Sequence, residues 1–286
     1  MVTKNKMTKI SILGCGWLGL PLAKALLKKK FHVNGSTTTV EKLDVLKDEG
    51  INPFLIDIPL SIDDENHGVD TFSDAMITFL QGSETLIIDI PPKLRGDLAA
   101  ANEKTFVKKI ETLIPFIEKS TVQNVLFVSS TSAYGEGQLT VTELTLPQPD
   151  TESGKQLVEA EQLLRDNTNF KTTLVRFGGL IGADRQPGKY LAGRENLENP
   201  DAPVNLIHQE DCIGIILKII ETNSWNETFN AVSPFHPSRE HYYIEKAAEL
   251  NLALPKFDHS KPSSGKLIEN DKVINLLKYT FTRPNL

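Results

Sequence analysis

A short apolar run, Ile10–Leu13, passes directly into Gly14-Cys15-Gly16-Trp17-Leu18-Gly19 and then into a helical stretch from about Leu20 to Lys30. Three glycines at this spacing have separate jobs. The first allows a tight turn, the second lets backbone approach a diphosphate, and the third lets the helix pack closely on the strand. The helix-start N–H groups lack partners inside the helix, and with the helix dipole they attract an anion. Pro21 near the first helical turn costs little, because its missing N–H is one of those orphans. Few architectures other than a parallel α/β sheet accommodate a strand, this turn and a helix in that order.

The rest of the chain repeats the alternation. Phe31–Ser36 reads as a second strand, Val40–Glu49 as a helix, Pro53–Ile58 and Thr85–Ile90 as strands, and Asn102–Lys119 as a helix. Asn124–Val128 is a continuous apolar strand, as burial on both faces requires. Gly154–Asp166 reads as a helix and Thr172–Phe177 as a sixth strand running into the glycine-rich Gly178–Gly182. Ala183–Pro203, with Gly, Pro, Asn and mixed charge, suits an irregular excursion over a cleft. Val204–His208, a helix at Asp211–Ile220 and a strand at Thr228–Val232 return to the core pattern. The expected class is α/β, a Rossmann doubly wound parallel sheet with a small C-terminal substrate-covering layer. Residues 1–177 and 204–232 form the nucleotide-binding domain, and 178–203 with 233–286 form the small part.

On this reading the cofactor contacts are Gly14, Gly16, Trp17, Leu18 and Gly19 at the turn. At the second strand end, where an acidic residue would hold the ribose 2′-hydroxyl of NAD, the chain has Gly35-Ser36-Thr37-Thr38-Thr39. Hydroxyls at Ser36, Thr37 and Thr38 accept a 2′-phosphate without charge repulsion, which favours NADP over NAD. Asp57, beside Ile58, either reaches the adenine amino group or caps the following turn.

Composition excludes several classes. A net charge of −6 offers no basic surface for nucleic acid or an anionic membrane. No apolar stretch reaches the roughly 18 residues of a membrane span. The polar, basic start lacks the apolar segment of a signal peptide. The only cysteines, Cys15 and Cys212, have no metal-site spacing, so the expectation is a cytoplasmic protein with reduced thiols and no metal. Its partner is a small-molecule substrate.

Phe127-Val128-Ser129-Ser130-Thr131-Ser132-Ala133-Tyr134-Gly135 resembles the fifth-strand signature of extended short-chain dehydrogenases, the NAD-dependent epimerase/dehydratase superfamily. Leu174–Gly182 and Val204–Asp211 resemble its sixth strand and pocket segment. With Gly188–Gly193 and His236-Pro237-Ser238-Arg239 the closer resemblance is to the YeeZ-like atypical group of that superfamily. The opening also resembles 6-phosphogluconate and UDP-sugar dehydrogenases, but those need a helix-dominated second half that is not seen here. The resemblance implies a cofactor contact at Ser129, a serine at Ser130 that polarises the reacting oxygen, and pairing into homodimers through two helices.

It also implies a Tyr-x-x-x-Lys pair on the next helix, and here the chain departs. Aligning Ala160–Arg165 puts Ser153 where the tyrosine belongs and Leu157 where the lysine belongs. Lys155 is two residues off, about 160° around the helix. The literal match Tyr242–Lys246 lies in the C-terminal layer, away from the family's catalytic place. The remaining proton-handling candidates are Ser132, which could also touch substrate, Tyr134 and His208, the last two each with a structural alternative. Arg239, among Arg176, Arg185, Lys189 and Arg194, is the expected anchor for an anionic substrate. Two functions remain open: a hydride-transferring oxidoreductase or epimerase acting on a small carbonyl, alcohol or sugar nucleotide, and a nucleotide-binding sensor or scaffold without catalysis.

Overall fold

The computed structural model describes residues 8–61, 69–92 and 103–285. In chain order the first elements are β1 (Lys9–Leu13), α1 (Gly19–Lys28), β2 (His32–Thr37), α2 (Lys42–Asp48), β3 (Asn52–Leu55), α3 (Val69–Leu80), β4 (Thr85–Ile88), α4 (Thr105–Glu118), β5 (Asn124–Ser130), β6 (Thr140–Val141) and α5 (Glu152–Asp166). Then follow β7 (Lys171–Phe177), β8 (Gly179–Ile181), α6 (Gly188–Leu191), β9 (Leu206–His208), α7 (Gln209–Thr222), β10 (Thr228–Ala231), α8 (Arg239–Glu249), β11 (Leu267–Ile268) and α9 (Asp271–Asn275). The expected helix start at Asn102 lies outside the described residues.

A seven-stranded sheet takes the order β10-β7-β5-β4-β1-β2-β3, and the pairings from β5 through β4, β1 and β2 to β3 are parallel. This is the doubly wound α/β sheet. β1 and β4 are apolar because both faces are covered: Ile10, Ile12, Leu86, Ile87 and Ile88 are fully buried. α1 buries Gly19, Leu22, Ala23 and Leu26, the one-sided spacing of an amphipathic helix. The strand order reverses between β1 and β4, the point where such sheets open a crevice at the carboxyl ends of their strands.

The chain divides into two compact units. The first comprises Met1–Ser129, Lys155–Val175 and Asn223–Glu227; the second comprises Ser130–Gly154, Arg176–Thr222 and Thr228–Leu286. The first is filled by a cluster in which Phe72, Met76 and Phe79 of α3, Phe106, Ile110 and Leu113 of α4, and Leu157, Ala160 and Leu164 of α5 meet the sheet. The second contains two short parallel pairs, β8 with β9 and β11 with β6.

Helix α3 is an element the sequence reading passed over. Its last turn is held by strand side chains. Ser11 Oγ and Asn34 Nδ2 both donate to the Phe79 carbonyl, at 2.7 and 2.6 Å, and Ser11 also shares a 2.7 Å bond with Ser83 Oγ. Buried hydroxyl and amide groups are thereby satisfied by orphan carbonyl groups of a helix C-terminus. The third and fourth strands are shorter than expected, ending at Leu55 and Ile88. Residues 56–58 and 89–90 therefore leave the sheet and become cleft wall. Among the described residues no helix is long and apolar enough to cross a membrane.

Candidate functional site

The first unit holds a cleft of about 730 Å³ above the carboxyl ends of its strands, in the size range of small-molecule sites. One wall is the glycine turn between β1 and α1. Gly14 has φ +106°, a conformation L side chains avoid, and a Cβ there would lie 2.3 Å from the Asp89 carbonyl oxygen. A Cβ on Gly19 would lie 2.1 Å from the Gly14 carbonyl oxygen. Gly16 is different. A Cβ there would meet nothing within 4 Å, because the residue is exposed and faces the cleft.

The first three amides of the turn all have partners within the protein. Gly14 N donates to Ser36 Oγ at 2.9 Å, Cys15 N to Ser36 O at 2.7 Å and Gly16 N to Gly14 O at 2.9 Å. Trp17 is half-buried, Leu18 is buried at the N-cap position, and α1 carries no acidic residue in its first turn. The helix start thus meets the cleft with its dipole uncompensated by its own side chains. The Cys15 thiol lies under the turn; burial, and then the negative charge of Asp89, push its pKa up to about 12, so it stays a neutral packing group.

The residues expected at the adenosine end fall on the β2 and β3 side of the cleft. Ser36 is buried and its hydroxyl is the acceptor for Gly14 N; Thr37 is buried and accepts from Thr39 N at 3.1 Å. Thr38 is the exposed hydroxyl of the three. Two residues absent from the sequence reading share this cleft, Lys42 at the start of α2 and Lys109 in α4. Asp57 is well exposed with Lys109 Nζ 3.7 Å away, and Ile58 is buried beside it. Asp89 and Ile90 form the wall beyond β4. Lysines on two separate helices have no periodic signal of their own, since only the fold brings them to one cleft. Ser129 points elsewhere, donating to Glu161 Oε1 of α5 at 2.6 Å, with both residues buried.

The reactive candidates of the second unit are separately arranged. Ser130 Oγ accepts from Ser132 N at 3.1 Å, starting a single 3₁₀ turn over Thr131–Ala133. Tyr134 is fully buried. Its hydroxyl lies 2.9 Å from Asn230 Oδ1 and 3.2 Å from the Thr142 carbonyl, accepts from Arg176 Nη1 at 2.7 Å, and the Arg176 guanidinium lies 4.8 Å from its ring centre. Burial raises the phenol pKa further above its usual value against the opposing pull of Arg176, so Tyr134 is anchored rather than poised for proton transfer. His208 Nδ1 accepts from Glu210 N at 3.2 Å, capping the start of α7.

Arg239 donates through Nη1 to the Glu198 carbonyl and stands 5.7 Å from the Phe257 ring centre, holding the irregular excursion. Tyr242 is fully buried with its hydroxyl unpartnered, and Lys246 pairs with Glu249 at 3.0 Å. Leu157 is packed in the apolar cluster of the first unit. No group of three or more metal-ligating side chains occurs among the described residues.

Comparison with known proteins places this geometry. No family model matches the chain. Protein YeeZ of Escherichia coli (strain K12) is 30% identical over 280 residues, covering 98% of this chain and 97% of YeeZ. A short-chain dehydrogenase/reductase superfamily protein from Agrobacterium tumefaciens, solved with bound NAD, superposes with TM-score 0.73 at 16% identity, covering 96% of this chain and 92% of that one. UDP-glucose 4-epimerase from Thermotoga maritima, solved with UDP-glucose, gives TM-score 0.73 at 17% identity, covering 96% and 94%. The structural likenesses establish the fold, and the full-length sequence likeness establishes the lineage: the chain belongs to the YeeZ family, on the Rossmann-type fold shared with NAD-dependent epimerases, dehydratases and short-chain dehydrogenases.

Proposed function

We propose that the chain binds NAD(P), with NADP favoured, and acts in the cytoplasm as an oxidoreductase or epimerase-like enzyme on a small carbonyl, alcohol or sugar-nucleotide substrate. One observation carries the binding half. Of the three turn glycines, two are closed in by backbone and the middle one opens onto the cleft, the pattern that close approach of a diphosphate requires. The residues present fit the group: the turn and the start of α1 take the diphosphate, and the wall around Thr38 and Asp57 takes the adenosine end. The Agrobacterium protein of the same fold contains NAD, which supports the class of ligand.

Preference for NADP rests on the absence of a carboxylate at the end of β2 and on Lys42 beside the exposed Thr38. A charge-assisted bond to a 2′-phosphate is worth about 1.5–3 kcal/mol. Lys42→Ala is therefore expected to weaken NADPH binding about tenfold or more and to leave NADH unchanged.

The nicotinamide, when bound, supplies or accepts hydride. Ser130, whose Oγ lone pair takes the Ser132 amide, keeps a hydroxyl hydrogen for a substrate oxygen. Ser132 and the outer nitrogen of His208 remain for proton handling. A second reading, nucleotide binding without turnover, is favoured by one specific observation: the fully buried Tyr134 is tied to Arg176, Asn230 and Thr142. Incubation of the pure protein with NADPH and a panel of carbonyl compounds separates the readings. Oxidation of NADPH with any member supports the enzyme, and tight binding with no turnover across the panel supports the second.

A further inference from the structure

We infer that Asp89 is the acceptor for the hydroxyls of the ligand's second ribose, the one on the far side of the diphosphate from adenine. The inference rests on the dinucleotide reading above and goes beyond it by naming the residue that holds the distal half.

The argument begins with strand order. β1 lies between β4 on one side and β2 then β3 on the other, and the glycine turn stands at the end of β1. Thr38, Lys42 and Asp57 belong to the β2 and β3 side, so a ligand with its diphosphate on the turn and adenosine there must pass its remaining half over β4. Asp89 is the first residue beyond β4. Its amide bonds the Leu13 carbonyl at 2.9 Å, which fixes it opposite Gly14, and it lines the cleft. Its carboxylate reaches the foot of α1, with Oδ2 3.1 Å from the point a Gly19 Cβ would occupy.

Charge then decides which part of the ligand this carboxylate meets. An ionised carboxylate only accepts hydrogen bonds and repels phosphate, whereas a ribose diol offers two donors. The diphosphate is therefore held toward Gly16, where the cleft is open, and a hydroxyl-bearing group faces Asp89. The same sorting recurs at the other end, where Lys42 stands by the hydroxyl-rich β2 end and Asp57 by the expected adenine amine. The distal ribose also lacks its usual anchor in this chain. Leu157, aligned with the family's ribose-holding lysine, is packed among apolar side chains.

The test is a binding experiment with the full chain, wild type and Asp89→Asn, which keeps size and removes charge. ADP carries the diphosphate without a second ribose, and ADP-ribose carries both. The expected result is that Asp89→Asn binds ADP-ribose and NADH about tenfold or more weakly, while ADP binds as before or more tightly. Undiminished ADP-ribose affinity in the variant overturns the inference, as does an equal loss for ADP, which marks a structural defect of the turn. Failure of wild type to bind any of the three overturns the dinucleotide reading instead. Asp89→Ala, checked by circular dichroism, is expected to show the same pattern, and undiminished ADP-ribose affinity in it likewise overturns the inference.

Discussion

The glycine turn of the first unit and the Tyr134 cluster of the second are both dense in polar atoms, yet they use them in opposite ways. At the turn, backbone closes around Gly14 and Gly19 and leaves Gly16 facing a cleft of about 730 Å³. At Tyr134 the buried hydroxyl accepts from Arg176 Nη1 and donates to Asn230 Oδ1, while Asn230 Nδ2 is buried without a partner among the described residues. The Glu143 carboxylate joins them by accepting from Asn230 N at 2.9 Å. The first region leaves one position open to the cleft, and the second ties segment 134–145 to Arg176 and Asn230. Glycine spacing distinguishes these cases in a sequence, because a tight turn, an open backbone position and close helix packing each ask for a residue without a side chain. A tyrosine after a serine run does not, because the same residue suits catalysis and anchoring.

Substitutions at the turn should produce the largest effects and divide along the same line. Gly14→Ala places a methyl group 2.3 Å from a carbonyl oxygen at positive φ. It is expected to cost on the order of 3 kcal/mol and to lower Tm by about 10 °C in a thermal melt, whether or not ligand is present. Gly16→Val should do the reverse. Its side chain enters open cleft, so stability should change by less than about 1 kcal/mol while NADH and NADPH affinity falls at least about a hundredfold. If both variants lost stability alike, the division between closed and open glycines would be wrong.

In the Tyr134 cluster the order of effects is inverted. Tyr134→Phe removes one hydroxyl and leaves Arg176 and Asn230 with a buried bond missing, which should cost about 2 kcal/mol in urea unfolding. Any turnover found in the carbonyl panel should survive at the same pH optimum. Loss of turnover with unchanged stability would make Tyr134 a reacting group after all. A smaller effect concerns pH. Burial raises the Glu143 pKa above its usual value, outweighing the opposing hydrogen bond from Asn230 N and the charges of Lys272 and Arg176. A raised folded-state pKa means that Glu143 contributes most below its unfolded pKa, and that this contribution is lost as pH rises through the folded value. The stability difference between wild type and Glu143→Gln should therefore shift against wild type as pH rises from the ordinary carboxylate range toward neutrality. A difference that stays flat, or moves the other way, would remove Glu143 from the buried network.

Much of the sheet was legible because its strands carry their own signal. The apolar run of β5 is what burial on both faces explains, β7 shows itself by Leu174, Val175 and Phe177 running into glycines, and the turn glycines announce the first βαβ unit. Helix α3 escaped because Val69–Leu80 mixes Thr, Ile and Phe, residues that also suit strands, with the three- and four-residue spacing of Phe72, Met76, Phe79 and Leu80. The paired strands β6 with β11 and β8 with β9 run two or three residues each, too short for periodicity, and are set by partners far away in sequence. At the site, the sequence offers Ser36 as a hydroxyl for a 2′-phosphate, and its oxygen also accepts from Gly14 N. Side-chain destination depends on the strand next door, and no local pattern encodes it. Lys42, Lys109 and Asp89 were missed for the same reason, since each reaches the cleft only when four separate strand ends come together.

The most direct measurement is a calorimetric titration of NADH and NADPH into the wild-type protein and into Gly16→Val. Saturable one-to-one binding to wild type, tighter for NADPH, and no detectable binding to a variant with an unchanged melting temperature is the predicted result. Absence of binding to wild type, or full affinity in the variant, would contradict the claim that Gly16 opens the cleft for a diphosphate.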